Sequence, residues 1–382
     1  MENKIRRVAV LASMMMSISC LSSYGGDLVK GSGTLQEALH GQSVFEIVGS
    51  RNLNGEIQIL SRQGENVVIS YEKSARASSE TESARFLELI DFKLTIQEDR
   101  AIFRILSPAH APWQGSDYSV HAKILIELPE KMTIEGDSDF MKFQIDGPFQ
   151  GVDLRSTYSS MDIRRIYGPV EAITTFADVN LDAIKGEVRI ETQNGKISAS
   201  DMIIPTGYAV LQATHGPIKI VDIKGSVEAY TSYSDITARN IEASEGSVVL
   251  RTSYGSLNVE QITGELICET SYAPINVVGL DLNHGHSRIE TSHSAVTVAL
   301  SRLSGSELYV ANNYSNVNLS IPESSSVKLI AGVGNGGAIY TSNIHLRPTV
   351  LDNTRLEGIV GDGESRIEID VSGIGNINID GQ

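Results

Sequence analysis

The sequence predicts an all-β fold, a single-stranded parallel β-solenoid of β-helix type, with an N-terminal β-rich cap carrying one short helix. Three observations carry this. One pattern recurs nine times between Val152 and Leu319: two small polar residues, an aromatic or its stand-in, a turn, then alternating apolar residues. Its marker falls at Tyr158, Phe176, Asn194, His215, Tyr233, Tyr254, Tyr272, His293 and Tyr314, at spacings of 18 or 21. A period of roughly 20 residues with period-2 alternation inside each copy is the signature of stacked repeats. Finally, three columns are apolar throughout: Met161 to Val317 three places after the marker, Ile163 to Leu319 five after, and Leu154 to Val310 four before.

Taken in order, residues 1–19 read as a signal peptide. Lys4, Arg6 and Arg7 precede a mostly apolar run, Val8 to Ile18, too short to span a bilayer. Ser17-Ile18-Ser19-Cys20 makes Cys20 a lipidation candidate, with ordinary cleavage before Asp27 as the competing reading. Residues 20–42 are Gly/Ser-rich and read as a flexible tether. Residues 43–150 supply N-terminal strands and the cap. Within them Ser79 and Glu82 form a capping box ahead of the stripe Phe86, Leu87 and Ile90. Trp113, the single tryptophan, is expected to pack against this cap.

Residues 151–320 are the coils. The polar position between the two downstream apolar columns alternates outward, from Asp162 to Asn318. No coil can bury its apolar face alone, and stacking solves this. The extra residues of the longer coils follow a further apolar column, Ile166 to Leu280, so one corner carries the variable loops. Residues 321–382 read as irregular terminal coils closing the stack. Gly332-Val333-Gly334-Asn335-Gly336-Gly337 lacks the Asp repeat of a calcium site and the Lys-Ser/Thr of a phosphate loop.

Coils of the form Gly-x-Val-x-x-x-Thr-Ser-Tyr-Gly-x-Leu-x-Val, as in Gly246 to Val259, resemble the bacterial "putative adhesin" β-strand-repeat family. The closing Val371-Ser372-Gly373-Ile374-Gly375-Asn376-Ile377 and the entry strands with their Ser/Glu-rich helix start share in this. The resemblance spans roughly residues 43–380 and implies a β-solenoid of unknown function with no catalytic residues. The family carries Ser-Gly-Asp at the coil turn. This chain has Tyr233-Ser234-Asp235, Tyr254-Gly255-Ser256, Tyr272-Ala273-Pro274 and His293-Ser294-Ala295 instead.

The net charge of −16 argues against duplex nucleic acid and against direct adsorption on anionic lipid. A membrane is reached only through a lipid anchor on Cys20. Cys20 and Cys268 are the only cysteines, and Cys268 stands in an apolar column as a small buried hydrophobe. No cofactor and no metal site are expected. Asp178 and Asp235 are turn residues too far apart to act together, and His215 and His293 stand four coils apart. His284, His286 and His293 form the one local histidine cluster, expected to be a polar corner loop. Glu269 and Glu290 share an outer column in neighbouring coils. The aromatic column shares the parity of the core and is expected to point inward, with a stacked sugar platform as the competing reading. The column before it, including Thr214, Ser232, Ser253, Ser271 and Ser292, is expected to be exposed, a contact strip for a glycan or another protein.

The functional expectation is a non-catalytic exported cell-envelope protein, an adhesin-like solenoid touching surface or matrix polymers. Its partner would be a cell-surface glycan or an envelope protein, at the outer surface or in the periplasm. The alternatives are a polysaccharide-active β-helix enzyme working through Glu269 and Glu290, and a periplasmic envelope scaffold or stress-response component.

Overall fold

The computed structural model describes residues 19–21, 28–114, 118–334 and 336–382. Residues 1–18, which hold most of the expected signal peptide, lie outside these. The chain divides into two compact units after Gly147. Among the described residues, Glu80–Glu88 is the one helix and almost everything else is strand.

In the first unit, the alternating apolar residues of Asn66–Arg76 pair antiparallel with Leu28–Ala38 on one side and Ser119–Pro129 on the other. Ser119–Pro129 continues in parallel to Asn54–Arg62, which pairs in parallel with the start of Met141–Phe149. A further set joins Asp91–Ile96 antiparallel to Arg100–Leu106, which is parallel to Val44–Val48 and that to Thr133–Asp137. Ile57, Ile69, Ile126 and Phe143 of the first set, and Phe45, Ile47 and Phe103 of the second, are buried. Leu28–Ala38 falls where the sequence predicts a tether. Its Gly/Ser content hides a strand, and Gly33 is needed because a Cβ there would collide with the Tyr71 hydroxyl. The backbone of Cys20 pairs with Val29; its side chain is outside the described residues.

The helix begins as its sequence dictates. Ser79 Oγ accepts the Glu82 amide at 3.2 Å, while the Glu82 carboxylate reaches back to the Ser78 amide rather than to Ser79. Phe86 and Leu87 are buried, and Phe86 meets Trp113 with ring centroids 5.7 Å apart. Trp113 Nε1 donates to the Asn52 carbonyl at 2.8 Å. Lys73 is buried beneath the helix C-terminus, where its Nζ donates to the carbonyls of Leu87 (2.7 Å) and Ile90 (2.8 Å). The helix dipole favours a cation there, but burial outweighs it and lowers the Lys73 pKa below its ordinary value.

In the second unit the apolar columns meet in register. Met161, Val179, Ile197, Ile218, Ile236, Leu257, Ile275, Val296 and Val317 are successive parallel partners. Leu154, Ala172, Ile190, Leu211, Ala229 and Leu250 do the same in a second stack. These side chains are buried, and each large one contributes about 1.5–3 kcal/mol by leaving water. Between the stacks a left-handed residue turns the chain: Arg165, Ala183, Asp201, Asp222, Asn240 and Gln261 all have φ of 50–58°. That kink lets Ile166, Ile184, Met202, Ile223, Ile241 and Ile262 point back into the core immediately afterwards.

The expected single-stranded parallel β-solenoid requires correction. The sheet is mixed in direction and closes on itself round its core in the manner of a barrel, with one short helix. Two features do this in the second unit. Ile236–Arg251 and Leu257–Glu269 run unbroken through the corner and join both stacks into one sheet. Antiparallel pairs then enter near the C-terminus, Val327–Val333 with Arg355–Val360 and that strand with Arg347–Leu351. The final residues do not close the stack in sequence order either. Ser365–Val371 inserts between Glu307–Asn312 and Val327–Val333, parallel to both, and Ile377–Gly381 inserts likewise between Val317–Ile321 and Ile339–Ser342.

Candidate binding trough and aromatic ladder

The marker column lies outside, not in the core. Tyr158, Phe176, Tyr233, Tyr254, Tyr272 and Tyr314 are each more than half exposed. The inner corner is held instead by the residue two places earlier: Thr174, Thr192, Thr231, Thr252, Thr270 and Thr291 are buried. Their hydroxyls bridge coils. Thr252 Oγ1 donates to the Ser234 carbonyl of the coil before and accepts the Gly255 amide of its own turn, both at 3.2 Å. Thr270 Oγ1 donates to the Gly255 carbonyl at 3.1 Å. With threonine turned inward the chain bends, inside–outside alternation breaks, and the aromatic ring is left at the outer corner. The regular Thr two places before the marker was the signal in the sequence.

The rings form a ladder. From His215 through Tyr233, Tyr254, Tyr272 and His293 to Tyr314, neighbouring centroids are 4.8–5.3 Å apart. Tyr158 and Phe176 form a separate stacked pair at 5.1 Å. Asn194 stands between the two runs. Because each face is covered by the next ring, the ladder presents ring edges and hydroxyls to solvent. That geometry leaves no open faces along it on which a sugar could stack.

Thr214, Ser232, Ser253, Ser271 and Ser292 are half-buried rather than exposed, and they line a shallow trough along this corner. One segment, of about 360 Å³, holds Thr175, Gln193, Thr214 and Ser232. The next, of about 570 Å³, holds Ser253, Ser271, Ser292 and Asn313. Tyr230 and Thr231 line both segments. The far wall of the larger segment is a strand column in register: Tyr230, Arg251, Glu269, Glu290, Ala311 and Asp370. Ala311, small between Glu290 and Asp370, deepens the trough there.

Two ion pairs hold the wall, with Asp370 outside both. Arg251 Nε donates to Glu269 at 2.7 Å, and that bond holds the guanidinium above its ordinary pKa against the opposing effect of burial. Arg288 donates to Glu290 at 2.8 Å, with the same direction and leading cause. Burial raises the phenol of Tyr230, whose hydroxyl donates to Glu228 at 2.9 Å. Burial, then the Asp370 carboxylate, raise Tyr309. Glu269 and Glu290, the carboxylates on which the alternative enzyme reading relied, are each bound to an arginine.

Other candidate residues take structural places. Asp178 Oδ1 accepts the Lys196 amide at 2.8 Å and Asp235 Oδ1 the Ser256 amide at 2.7 Å, so each fastens the turn of the next coil. His215 and His293 are ladder members, and His286 Nδ1 meets Glu307 at 3.0 Å. No group of three or more His, Cys, Asp or Glu suited to a metal occurs among the described residues. Cys268 is buried in its strand, where burial and then Glu269 push its thiol pKa up. No helix among the described residues is long and apolar enough to cross a membrane.

No family model matches the chain, and no curated protein does. A solved structure described as a "putative cell adhesion protein" from Clostridium sporogenes is similar over 92% of this chain and 100% of that one. Its sequence identity is 9% and its TM-score 0.19, a likeness too distant to carry an argument. The membership expected from the coil motifs is therefore corrected: turn and strand patterning produced the resemblance, and no family model supports it. The adhesin-like solenoid function rested on that family and architecture and falls with them. The β-helix enzyme and envelope-scaffold alternatives rested on the same architecture and lose that basis too.

Proposed function

We propose that this chain is a non-catalytic binding domain of an exported protein, and that the trough takes a single extended, neutral glycan strand. The observation that carries the reading is the regular supply of one hydroxyl or amide per repeat, from Thr175 to Asn313, along two neighbouring trough segments that share Tyr230 and Thr231. Parallel neighbours rise by about 4.8 Å, comparable to the advance of one sugar unit along an extended glycan. Donors and acceptors in the groove thus repeat in step with a hydroxylated polymer. The Arg251–Glu269 and Arg288–Glu290 pairs present fixed hydrogen-bonding groups whose charges compensate each other, which suits an uncharged ligand, and Asp370 adds one further acceptor outside both pairs.

The test is a screen of neutral oligosaccharides of several linkages against the purified chain and two variants that fill the groove, Ser271→Leu and Ala311→Leu. Binding lost about tenfold in each variant, or about 1.4 kcal/mol, with unchanged melting temperature supports the reading. Equal binding by both folded variants contradicts it, as does a complete absence of glycan binding.

A further inference from the structure

Tyr233, Tyr254 and Tyr272 are three consecutive phenols in one ladder. Their centroids are 5.3 and 4.9 Å apart, their planes within 3° and 5°, and all three are more than half exposed. Backbone bonds hold each ring to the coil before it: Tyr254 N donates to Ser232 O at 3.0 Å and Tyr272 N to Ser253 O at 3.2 Å.

We propose that Tyr254 is a site of oxidative cross-linking, its ring joining that of Tyr233 or Tyr272 as an intramolecular dityrosine. The oxidant is a peroxide acting through a haem peroxidase. Each of two neighbouring phenols loses one electron and its hydroxyl proton to give a phenoxyl radical with spin on the Cε carbons. A Cε–Cε bond then forms, and the two ring hydrogens return to the oxygens as the rings regain aromaticity. The two electrons and two protons reduce one hydrogen peroxide to two waters.

The ladder favours the reaction in two ways. Oxidised rings already lie side by side, so coupling needs no encounter between molecules. A turn about Cβ–Cγ converts face-to-face rings into edge-to-edge ones, and a small approach of the rings then brings adjacent Cε carbons together. Exposure at the outer corner leaves room for that turn and admits the oxidant. The product is a covalent tie between neighbouring coils, a staple in a chain whose two cysteines include one buried within a strand.

The experiment treats dilute full-length protein with horseradish peroxidase and hydrogen peroxide, then separates monomer from multimer. Dityrosine fluorescence in the monomer fraction and an intact mass lower by two hydrogen atoms are expected. Cleavage at glutamate should return joined peptides containing Tyr254 with Tyr233 or Tyr272. Tyr254→Phe keeps a ring in the ladder but breaks both phenol pairs, and its monomer should lose this signal, whereas Tyr167→Phe should keep it. Monomer dityrosine undiminished in Tyr254→Phe, or coupling confined to multimers, would overturn the proposal.

Discussion

Val310 pairs in parallel register with Ile369, and Ile369 pairs on its other side with Ala331. A residue near the C-terminus thus fills the layer between two strands that precede it in the chain. All three side chains are buried.

Ile369 thus stands with buried apolar neighbours on both sides. Ile369→Asp places an unpaired carboxylate between buried apolar layers and should cost several kcal/mol, on the order of the penalty for burying an uncompensated charge. Thermal unfolding followed by circular dichroism checks this. A melting temperature equal to that of the parent chain would mean that the final strands do not hold the layer.

Thr252 illustrates what holds the corner. Thr252→Val keeps the shape but removes a hydroxyl that donates to the Ser234 carbonyl and accepts the Gly255 amide. Leaving buried partners unsatisfied costs about 1–3 kcal/mol. Denaturant unfolding should show a lower midpoint with an unchanged slope.

These two residues mark the limit of legibility in the sequence. Columns such as Met161 to Val317 were readable because a spacing of 18 or 21 puts like residues in register, and pairing in the structure follows those columns. The facing of Tyr254 was misread because period-2 alternation was carried through a turn where Thr252 takes the inner place. Strand direction outside the repeats was not readable, since antiparallel and parallel partners of Val327–Val333 share the same alternation. Nothing local to Ile369 says that it inserts beside Val310. The groove was readable in part: the column from Thr214 to Ser292 was singled out, but the wall of Tyr230, Arg251 and Asp370 emerges only when the coils are stacked.

Asn194 interrupts the ladder between Phe176 and His215, yet its amide donates to Thr175 O at 2.9 Å, as Tyr233 N does to Thr214 O at 3.2 Å. Asn194→Tyr should therefore seat a ring between the two and join both runs. A stacked aromatic pair is worth about 0.5–1.5 kcal/mol beyond area burial. Differential scanning calorimetry should register a higher melting temperature, and a decrease would show that the slot does not accept a ring.

Lys73 sets a pH dependence at the alkaline end. Burial lowers its pKa below the ordinary 10.5, opposed by Asp91 and Glu88. Between the lowered folded value and the unfolded one, the unfolded chain binds more protons, so this group makes stability rise with pH across that window. Its cost is present below the folded value and relieved above it. Lys73→Met should remove that contribution to the slope, while also losing the bonds to Leu87 and Ile90. Unfolding free energies across the alkaline range, compared between the two proteins, test this; parallel curves would contradict it.

Isothermal titration with a length series of the best neutral oligosaccharide from the screen tests directly whether the trough follows one glycan strand repeat by repeat. Affinity should climb with each added sugar and level off once the oligosaccharide spans the trough from Thr175 to Asn313, with Ser271→Leu cutting the climb short. Affinity independent of length, or a length dependence untouched by Ser271→Leu, would contradict it.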